Sequence, residues 1–346
     1  MIEAVLDELV MEGGNGAPAP DPARLRLALD EIMRGDALPT QVAAMLMGLR
    51  VRGERPEHLK VVVEGMLAHA TPFPRADIKG VVMDTCGPGG LGRSLVNVST
   101  GTALLAAAAG VRIAKHGNKS VSSRSGSADV LQALGYKIDC AAETSARMLR
   151  DHNFCFLFAP LYHPAMKHAG PVRREIKVRT IFNLAGPLSN PALPSRQLLG
   201  VSHPSMLELM AQALKLLGRE RALIVHGGEG HDEISLSQIT HGILLAADGE
   251  FRKLTIDPAD FGVKGATLQS LAIASPADSA EKLRRVLEGE QSVIADEINV
   301  NVGAVLWLAD RVGGLRDGFE IAREIQRSGK GAELLQTLIA ESNKEA

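Results

Sequence analysis

Apolar residues in the first 70 positions recur every three or four places, the spacing that gathers them on one face of a helix. Leu25, Leu29, Ile32 and Met33, then Val42, Met45, Leu46 and Leu49, make two such faces. The pattern predicts helices over 2–10, 22–34, about 40–51 and 56–70, with Asp21 capping the second and Pro56 in the first turn of the last. A GGNGAPAP stretch separates the first two. The faces need a partner, and a Met-rich stripe such as Met45 and Met47 suits a core or a subunit contact.

Beyond a proline-containing crossing at 71–80, short apolar runs alternate with longer helical patterns, as in βαβ units. Strands are expected near 81–84, 111–115, 136–139, 155–158, 198–201 and 222–225. They imply a mainly parallel sheet covered by helices on both faces. Asp248-Gly249 between apolar runs predicts a late hairpin. Helices over about 279–287, 296–308, 315–328 and 332–342 complete the outer layer. The fold class is therefore α/β: a mainly parallel sheet domain flanked by helices, with a small all-helical domain. A length of 346 residues, above the usual domain size of about 100 to 200, suits one large unit and a smaller one.

Chemistry concentrates where the first strand ends. Gly87, Gly89, Gly90 and Gly92 follow that strand, and without side chains they let backbone N–H groups reach an anion. Asn97, Ser99 and Thr100 then open an Ala- and Leu-rich helix that Gly110 stops. A helix start carries about half a positive charge and several unpaired donors, so a diphosphate is stabilised there. Lys115, His116, Gly117 and Asn118 fall at the carboxyl end of the next strand, the edge where open parallel sheets bind ligands. GPGGLG also fits the loose dinucleotide-binding pattern G-x-G-x-x-G, but the helix starts too late and no acidic residue closes the next strand. A plain structural turn is the other reading.

Composition narrows the partners. Apolar content of 45%, charged content of 23% and a formal net charge of −2 argue against a nucleic-acid scaffold. With one Trp and two Tyr, stacking platforms for single strands are not expected either. Cys86, Cys140 and Cys155 lie far apart without C-x-x-C spacing, which points to a reducing cytoplasm and to buried thiols. The acidic opening MIEAVLDELVMEGG does not read as a signal peptide, and no apolar run approaches the roughly 20 residues of a membrane helix.

Four segments carry a resemblance over nearly the whole chain: residues 87–100 (GPGGLGRSLVNVST), 115–129 (KHGNKSVSSRSGSAD), 163–192 (HPAMKHAGPVRREIKVRTIFNLAGPLSNPA) and 226–236 (HGGEGHDEISL). In order and spacing the chain resembles anthranilate phosphoribosyltransferase, of the tryptophan-pathway phosphoribosyltransferases related to nucleoside phosphorylases. The resemblance implies transfer of a phosphoribosyl group from phosphoribosyl diphosphate to an aromatic amine, with Mg²⁺ as cofactor. It also implies a homodimer formed through the helical domain. Residues 1–75, with about 163–191 returning to them, would form that domain; 76–162 and 192–346 would form the donor-binding α/β domain.

By the same resemblance Gly87, Gly89, Gly90, Asn97, Ser99, Thr100, Lys115, Asn118, Ser122, Ser123 and Ser127 surround the donor. Asp232 and Glu233 hold magnesium, and Ser99 supplies a hydroxyl ligand for a second ion, all hard oxygen donors of the kind Mg²⁺ takes. Arg173 holds the acceptor's carboxylate, a task suited to a planar guanidinium. Asn118 lies beside the acceptor, His116 and His163 line its tunnel, and the residues placed at the reaction itself are Asn118, Arg173 and His116. His226 and His231 flank the acidic pair but lack the third ligand a zinc site needs. The chain departs from the family at Pro88, Leu91 and Leu95, where threonine, aspartate and threonine usually stand, while Arg93 adds a cation. These changes bear on donor affinity and metal use. Two other readings follow: a relative with another aromatic acceptor, and a non-catalytic paralogue that binds a phosphorylated ligand.

Overall fold

The computed structural model describes residues 1–11, 20–89, 94–120, 125–263, 265 and 267–344. Helices α1 (Ile2–Met11), α2 (Pro22–Arg34), α3 (Pro39–Arg52) and α4 (Pro56–Ala68) occupy the N-terminal stretch. Asp21 caps α2, its side chain accepting from the Ala23 N–H at 3.1 Å. The apolar faces expected from spacing are the buried ones: every residue of the two sets is at most 3% exposed. Met45 is fully buried and Met47 half-buried.

The sheet region begins with β1 (Val82–Cys86), α5 (Val98–Ala108), β2 (Arg112–Gly117), α6 (Ser127–Ala133), α7 (Ala142–His152) and β3 (Phe154–Phe158). Short helices α8 (Ala159–Tyr162), α9 (Gly170–Ile176) and α10 (Ile181–Ala185) follow. Then come β4 (Arg196–Gly200), α11 (Met206–Leu216), β5 (Arg221–Gly227), β6 (Thr240–Leu245) and β7 (Phe251–Ile256). Helices α12 (Pro276–Leu287), α13 (Val293–Leu308), α14 (Leu315–Arg327) and α15 (Lys330–Ser342) close the chain.

The seven strands lie in the order β3-β2-β1-β4-β5-β6-β7. The first five pair in parallel, and β6 and β7 pair antiparallel around the expected Asp248-Gly249 turn. Connections run one way from β1 to β2 and the other way on reaching β4. The strand order therefore reverses at β1 and β4, whose carboxyl ends open the crevice where such sheets take ligands.

One expectation fails. Residues 136–139 form no strand but link α6 to α7. The Tyr136 ring is buried edge-on to Phe154, with centroids 6.1 Å apart, and its hydroxyl accepts the Phe156 N–H at 3.3 Å. The Lys137 N–H goes to Ser342 Oγ at 3.1 Å. Side chains and the end of α15 thus satisfy groups that a neighbouring strand would otherwise have paired.

Two large cores and a smaller cluster of Val82, Ala114, Leu149, Leu157 and Tyr162 cover the sheet. On one face α5, α6 and α12–α15 pack over Met83, Ile113, Phe156, Leu198 and Leu223. Leu104 and Leu105 of α5 are fully buried there, contributing about 2 kcal/mol each. On the other face α11 joins the N-terminal helices, and Ala169, Val172, Ile181 and Phe182 from α9, α10 and the residue before α9 pack into the same cluster. The helical character expected for 163–191 is present, and it lies against α3 and α4.

Candidate active site

The carboxyl ends of β1, β2, β4 and β5 converge. Gly87, just past β1, lies so close to β4 that a Cβ there would stand 2.7 Å from the Gly200 carbonyl oxygen and 3.5 Å from Asp232 Oδ2. Gly200 is tighter still: a Cβ would fall 1.5 Å from the Asp232 carbonyl oxygen. Only bare backbone at these two positions lets the loop after β5 cross the end of β4 and bring Asp232 beneath the glycine turn.

Helix α5 points its start into the same place. Asn97 is the cap, accepting from the Thr100 N–H at 3.0 Å and from the Ser99 hydroxyl at 3.2 Å. Thr100 itself is fully buried, so its side chain stays beneath the open face. Lys115 reaches the cap from β2, donating to the Thr85 carbonyl at 2.6 Å and to Ser99 Oγ at 3.2 Å. The Ser99 N–H lies towards the Glu233 carboxylate and favours its charged form. Cap, lysine and acidic pair form one connected group.

The electrostatics follow from enclosure. Desolvation, and then the like charge of Asp232, push the Glu233 carboxyl well above the usual carboxylate range, with Lys115 and the Ser99 N–H opposing. Burial pushes the Lys115 ammonium down, and Asp84, Cys86 and Glu233 pull it back. Asp84 is fully buried in β1 and raised by desolvation. Asn190 donates to it at 2.9 Å and to the Ala114 carbonyl at 2.7 Å. Cys86 is no free nucleophile: Gln197 Nε2 donates to its sulfur at 2.8 Å, and burial raises the thiol well above its ordinary value.

Strand alternation sends the next side chain the other way. His116 faces His163 edge-on, with ring centroids 5.1 Å apart. Burial, then His163, push His116 down to about 3 despite a bond to the Gly186 carbonyl. His163 Nε2 lies 2.9 Å from the Ser189 carbonyl oxygen, and burial lowers this imidazole too. Both rings are neutral near pH 7. Arg173 projects from α9 with its guanidinium 5.8 Å from the Phe182 ring centroid, and no carboxylate pairs with it among the described residues. Burial alone pushes it down from its ordinary value.

Asn118 is exposed past β2, its carbonyl accepting from the Ala128 N–H at 3.3 Å. Ser127 opens α6, and a Cβ on Gly117 would lie 2.2 Å from its Oγ. Asp129 Oδ2 accepts from the N–H groups of Ser120 and Gly126 at 2.9 Å each, tying the loop's two ends together. Gly90, Leu91, Gly92, Arg93, Ser122 and Ser123 lie outside the described residues. His226 Nδ1 sits 2.9 Å from the Val201 carbonyl oxygen, whereas His231 faces Glu297 across 3.9 Å, so the two imidazoles have separate surroundings.

Comparison with known proteins decides the lineage. The glycosyl transferase family a/b domain matches residues 79–332, and the helical bundle domain of that family matches 14–70. An anthranilate phosphoribosyltransferase from Colwellia psychrerythraea is 43% identical over 316 residues, 91% of this chain and 86% of that protein. The chain belongs to the anthranilate phosphoribosyltransferase family. Another member, from Sorangium cellulosum, is 44% identical over 90% of this chain and 88% of its own length. Among solved structures, the anthranilate phosphoribosyltransferase of Thermus thermophilus superposes with a TM-score of 0.88 at 37% identity, covering 99% of both chains. The Saccharomyces cerevisiae enzyme in complex with PRPP and Mg gives 0.87 at 26% identity, covering 99% of this chain and 97% of that one.

Set in the anthranilate phosphoribosyltransferase frame, the structure adds residues that motif reading passed over. Arg179, between α9 and α10, donates to the Gly89 carbonyl at 3.1 Å and to Ser202 Oγ at 3.2 Å, joining the glycine turn to the loop after β4. Asp84 and Asn190 underlie Lys115 and His116. Their signal was available as polar residues inside the apolar runs VVMDTC and LSNPA. Leu95, one of the three departures, pairs with Ala272 in an isolated bridge and packs on the core containing Leu271 and Ile273. An apolar contact occupies the place where the resemblance leads one to expect a hydroxyl.

Proposed function

We propose that the protein transfers the phosphoribosyl group of phosphoribosyl diphosphate to the amine of anthranilate, with Mg²⁺, giving phosphoribosylanthranilate and diphosphate in tryptophan biosynthesis. The observation that carries this reading is the convergence of the Asn97-capped helix start, Lys115 and Asp232–Glu233 under one glycine turn, in a chain of this family. The bond between ribose C1 and the diphosphate oxygen breaks, and a bond from C1 to the amine nitrogen forms. The amine proton leaves to solvent or a weak acceptor.

Positioning and charge account for the catalysis. Gly87, Gly89 and the N–H groups at the start of α5 face the diphosphate, and Lys115 places a positive charge beneath it. The surroundings of Asp232 and Glu233 suit a divalent cation: two adjoining carboxylates, one driven above its ordinary range by enclosure and like charge, offset by one buried lysine. Asp232 and Glu233 would hold it, and Ser99 Oγ would supply a ligand for a second ion. When bound, the ion neutralises negative charge on the departing diphosphate.

Arg173, with no carboxylate against it among the described residues, receives the carboxylate of anthranilate. His116 and His163 are neutral and shape the acceptor site; an arylamine is neutral at pH 7, so its lone pair needs no strong base. Asn118 lies between the two substrates. Residues 1–75 with about 163–191 form the unit that carries the acceptor side, and the remainder carries the donor; closure between them keeps water from C1. The enzyme acts in the cytoplasm as a homodimer through the helical unit, whose exposed Val10 and Val51 offer apolar surface. Among the described residues no helix is long and apolar enough to cross a membrane.

The test is loss of anthranilate fluorescence on adding phosphoribosyl diphosphate and Mg²⁺, beside an Asp232→Ala, Glu233→Ala control. Donor-dependent loss that the control abolishes is expected. No loss at high enzyme concentration would overturn the proposal in favour of another aromatic acceptor or a non-catalytic role.

A further inference from the structure

We propose that Glu297 and Asn301 of α13 are positioning residues for Asp232–Glu233, holding the backbone of the loop that carries the acidic pair. They lie one turn apart on a helix whose other buried side chains are almost all apolar, and both are fully buried. Asn301 Oδ1 accepts from the Ile234 N–H at 3.0 Å, and Asn301 Nδ2 donates to the Ile234 carbonyl at 2.9 Å. The same Nδ2 donates to the Glu297 carbonyl at 2.9 Å, which locks the amide's orientation. Glu297 Oε2 accepts from the Leu236 N–H at 2.9 Å.

These contacts do for the loop what a neighbouring strand does for an edge: donor and acceptor groups on alternate residues are read in register. Residues 234 and 236 are held on one side of the pair. On the other side the Gly227 N–H donates to the His231 carbonyl at 2.8 Å, and Gly200 supplies the floor beneath Asp232. Enclosed carboxylates of like charge favour swinging outward to water. A loop fixed at both ends denies them that movement and keeps both oriented at the glycine turn.

A purely structural account, in which Glu297 and Asn301 only satisfy buried backbone groups, predicts lost stability without a change in cation binding. Positioning predicts weaker cation binding in protein that remains folded. The inference rests on the reading of Asp232–Glu233 as the carboxylates that hold the divalent cation, and the experiment tests both levels.

Mn²⁺ serves as the probe. The full-length protein is titrated with it in the presence of phosphoribosyl diphosphate and without any amine acceptor, and free Mn²⁺ is followed by electron paramagnetic resonance. Hydrogen exchange at the Ile234 and Leu236 amides is read on the same samples. Glu297→Met and Asn301→Ser, each removing groups that bond the loop, are expected to weaken Mn²⁺ binding about 10- to 100-fold and to speed exchange at both amides. Glu297→Gln keeps an acceptor oxygen and should restore both readouts towards wild type. Asp232→Ala, Glu233→Ala is the control. If the control loses Mn²⁺ while folded Glu297→Met and Asn301→Ser bind it as wild type does, the positioning inference is overturned and the acidic pair keeps its role. If the control itself binds Mn²⁺ normally, both readings fall. Should Glu297→Met not fold, Asn301→Ser together with the exchange rates decides the matter alone.

Discussion

Lys115 and Arg173 are enclosed cations in the two halves of the site, and their surroundings are opposite. Lys115 is enclosed with its partners already in place: the Thr85 carbonyl, the Ser99 hydroxyl, and the charges of Asp84 and Glu233. Arg173 is partly enclosed, faces an aromatic ring and meets no carboxylate among the described residues. The first half is wired together before any ligand arrives. The second leaves a charge uncompensated, which a ligand's carboxylate would complete. A shared carrier of diphosphate demands fixed geometry, whereas an aromatic acid is recognised by supplying the missing ion of a pair.

The largest effect that separates the halves is on folding. Lys115→Met leaves Asp84 and Glu233 enclosed without their cation, and should cost about 3 to 5 kcal/mol in a denaturant titration. Arg173→Met removes an unpaired, partly buried charge and should leave stability unchanged or raised. Equal losses in both variants would break the comparison.

Arg173→Lys tests the acceptor side directly. A lysine keeps the charge but loses the two-pronged geometry, a difference of about 2 to 3 kcal/mol. The KM for anthranilate should rise by roughly 30- to 160-fold while the KM for phosphoribosyl diphosphate stays near wild type. A rise confined to the donor would place Arg173 on the wrong half.

How much of this contrast was legible beforehand depended on whether a residue's role is local. The helix faces around Leu25 and Met45, the Asn97 cap and the Asp248-Gly249 hairpin follow from spacing and turn chemistry within a few residues, and each lies where expected. Residues 136–139 misled because the alternation Tyr-Lys-Ile-Asp has the same pattern whether it pairs as a strand or packs as a linker. What distinguishes the cases, Ser342 and Met148 nearby in space, is distant in sequence or on another element. The need for glycine at 200 comes from the loop bearing Asp232 and has no local signature. Glu297 and Asn301 did have one: two polar residues at i and i+4 in VIADEINVNVGAVLWL, whose other buried positions are apolar apart from Asn299.

The boundary between the halves, at His116, has a smaller effect with a defined sign. Folded His116 takes a proton only near pH 3, against 6.5 for an ordinary histidine. Between those values the unfolded chain binds the extra proton, so stability present above pH 6.5 is lost as pH falls. From about pH 7.5 to about pH 5 this group should remove about 2 kcal/mol of stability. His116→Gln should lose that much less over the same interval in urea titrations. An identical pH dependence in the variant would mean that His116 titrates normally, and that the acceptor side is more open to water than its enclosure implies.

The smallest expected effect concerns the departure at Leu95. Its bridge to Ala272 and contact with the core place an apolar side chain where the resemblance leads one to expect threonine. Leu95→Thr gives up part of that burial and should cost about 1 kcal/mol in stability. If the donor half is organised through Lys115, Ser99 and Glu233 as described, restoring the hydroxyl should change the KM for phosphoribosyl diphosphate much less than Arg173→Lys changes that for anthranilate. A large gain in donor affinity from Leu95→Thr would instead show that the wiring beneath the glycine turn is incomplete, and that the leucine trades donor binding for stability.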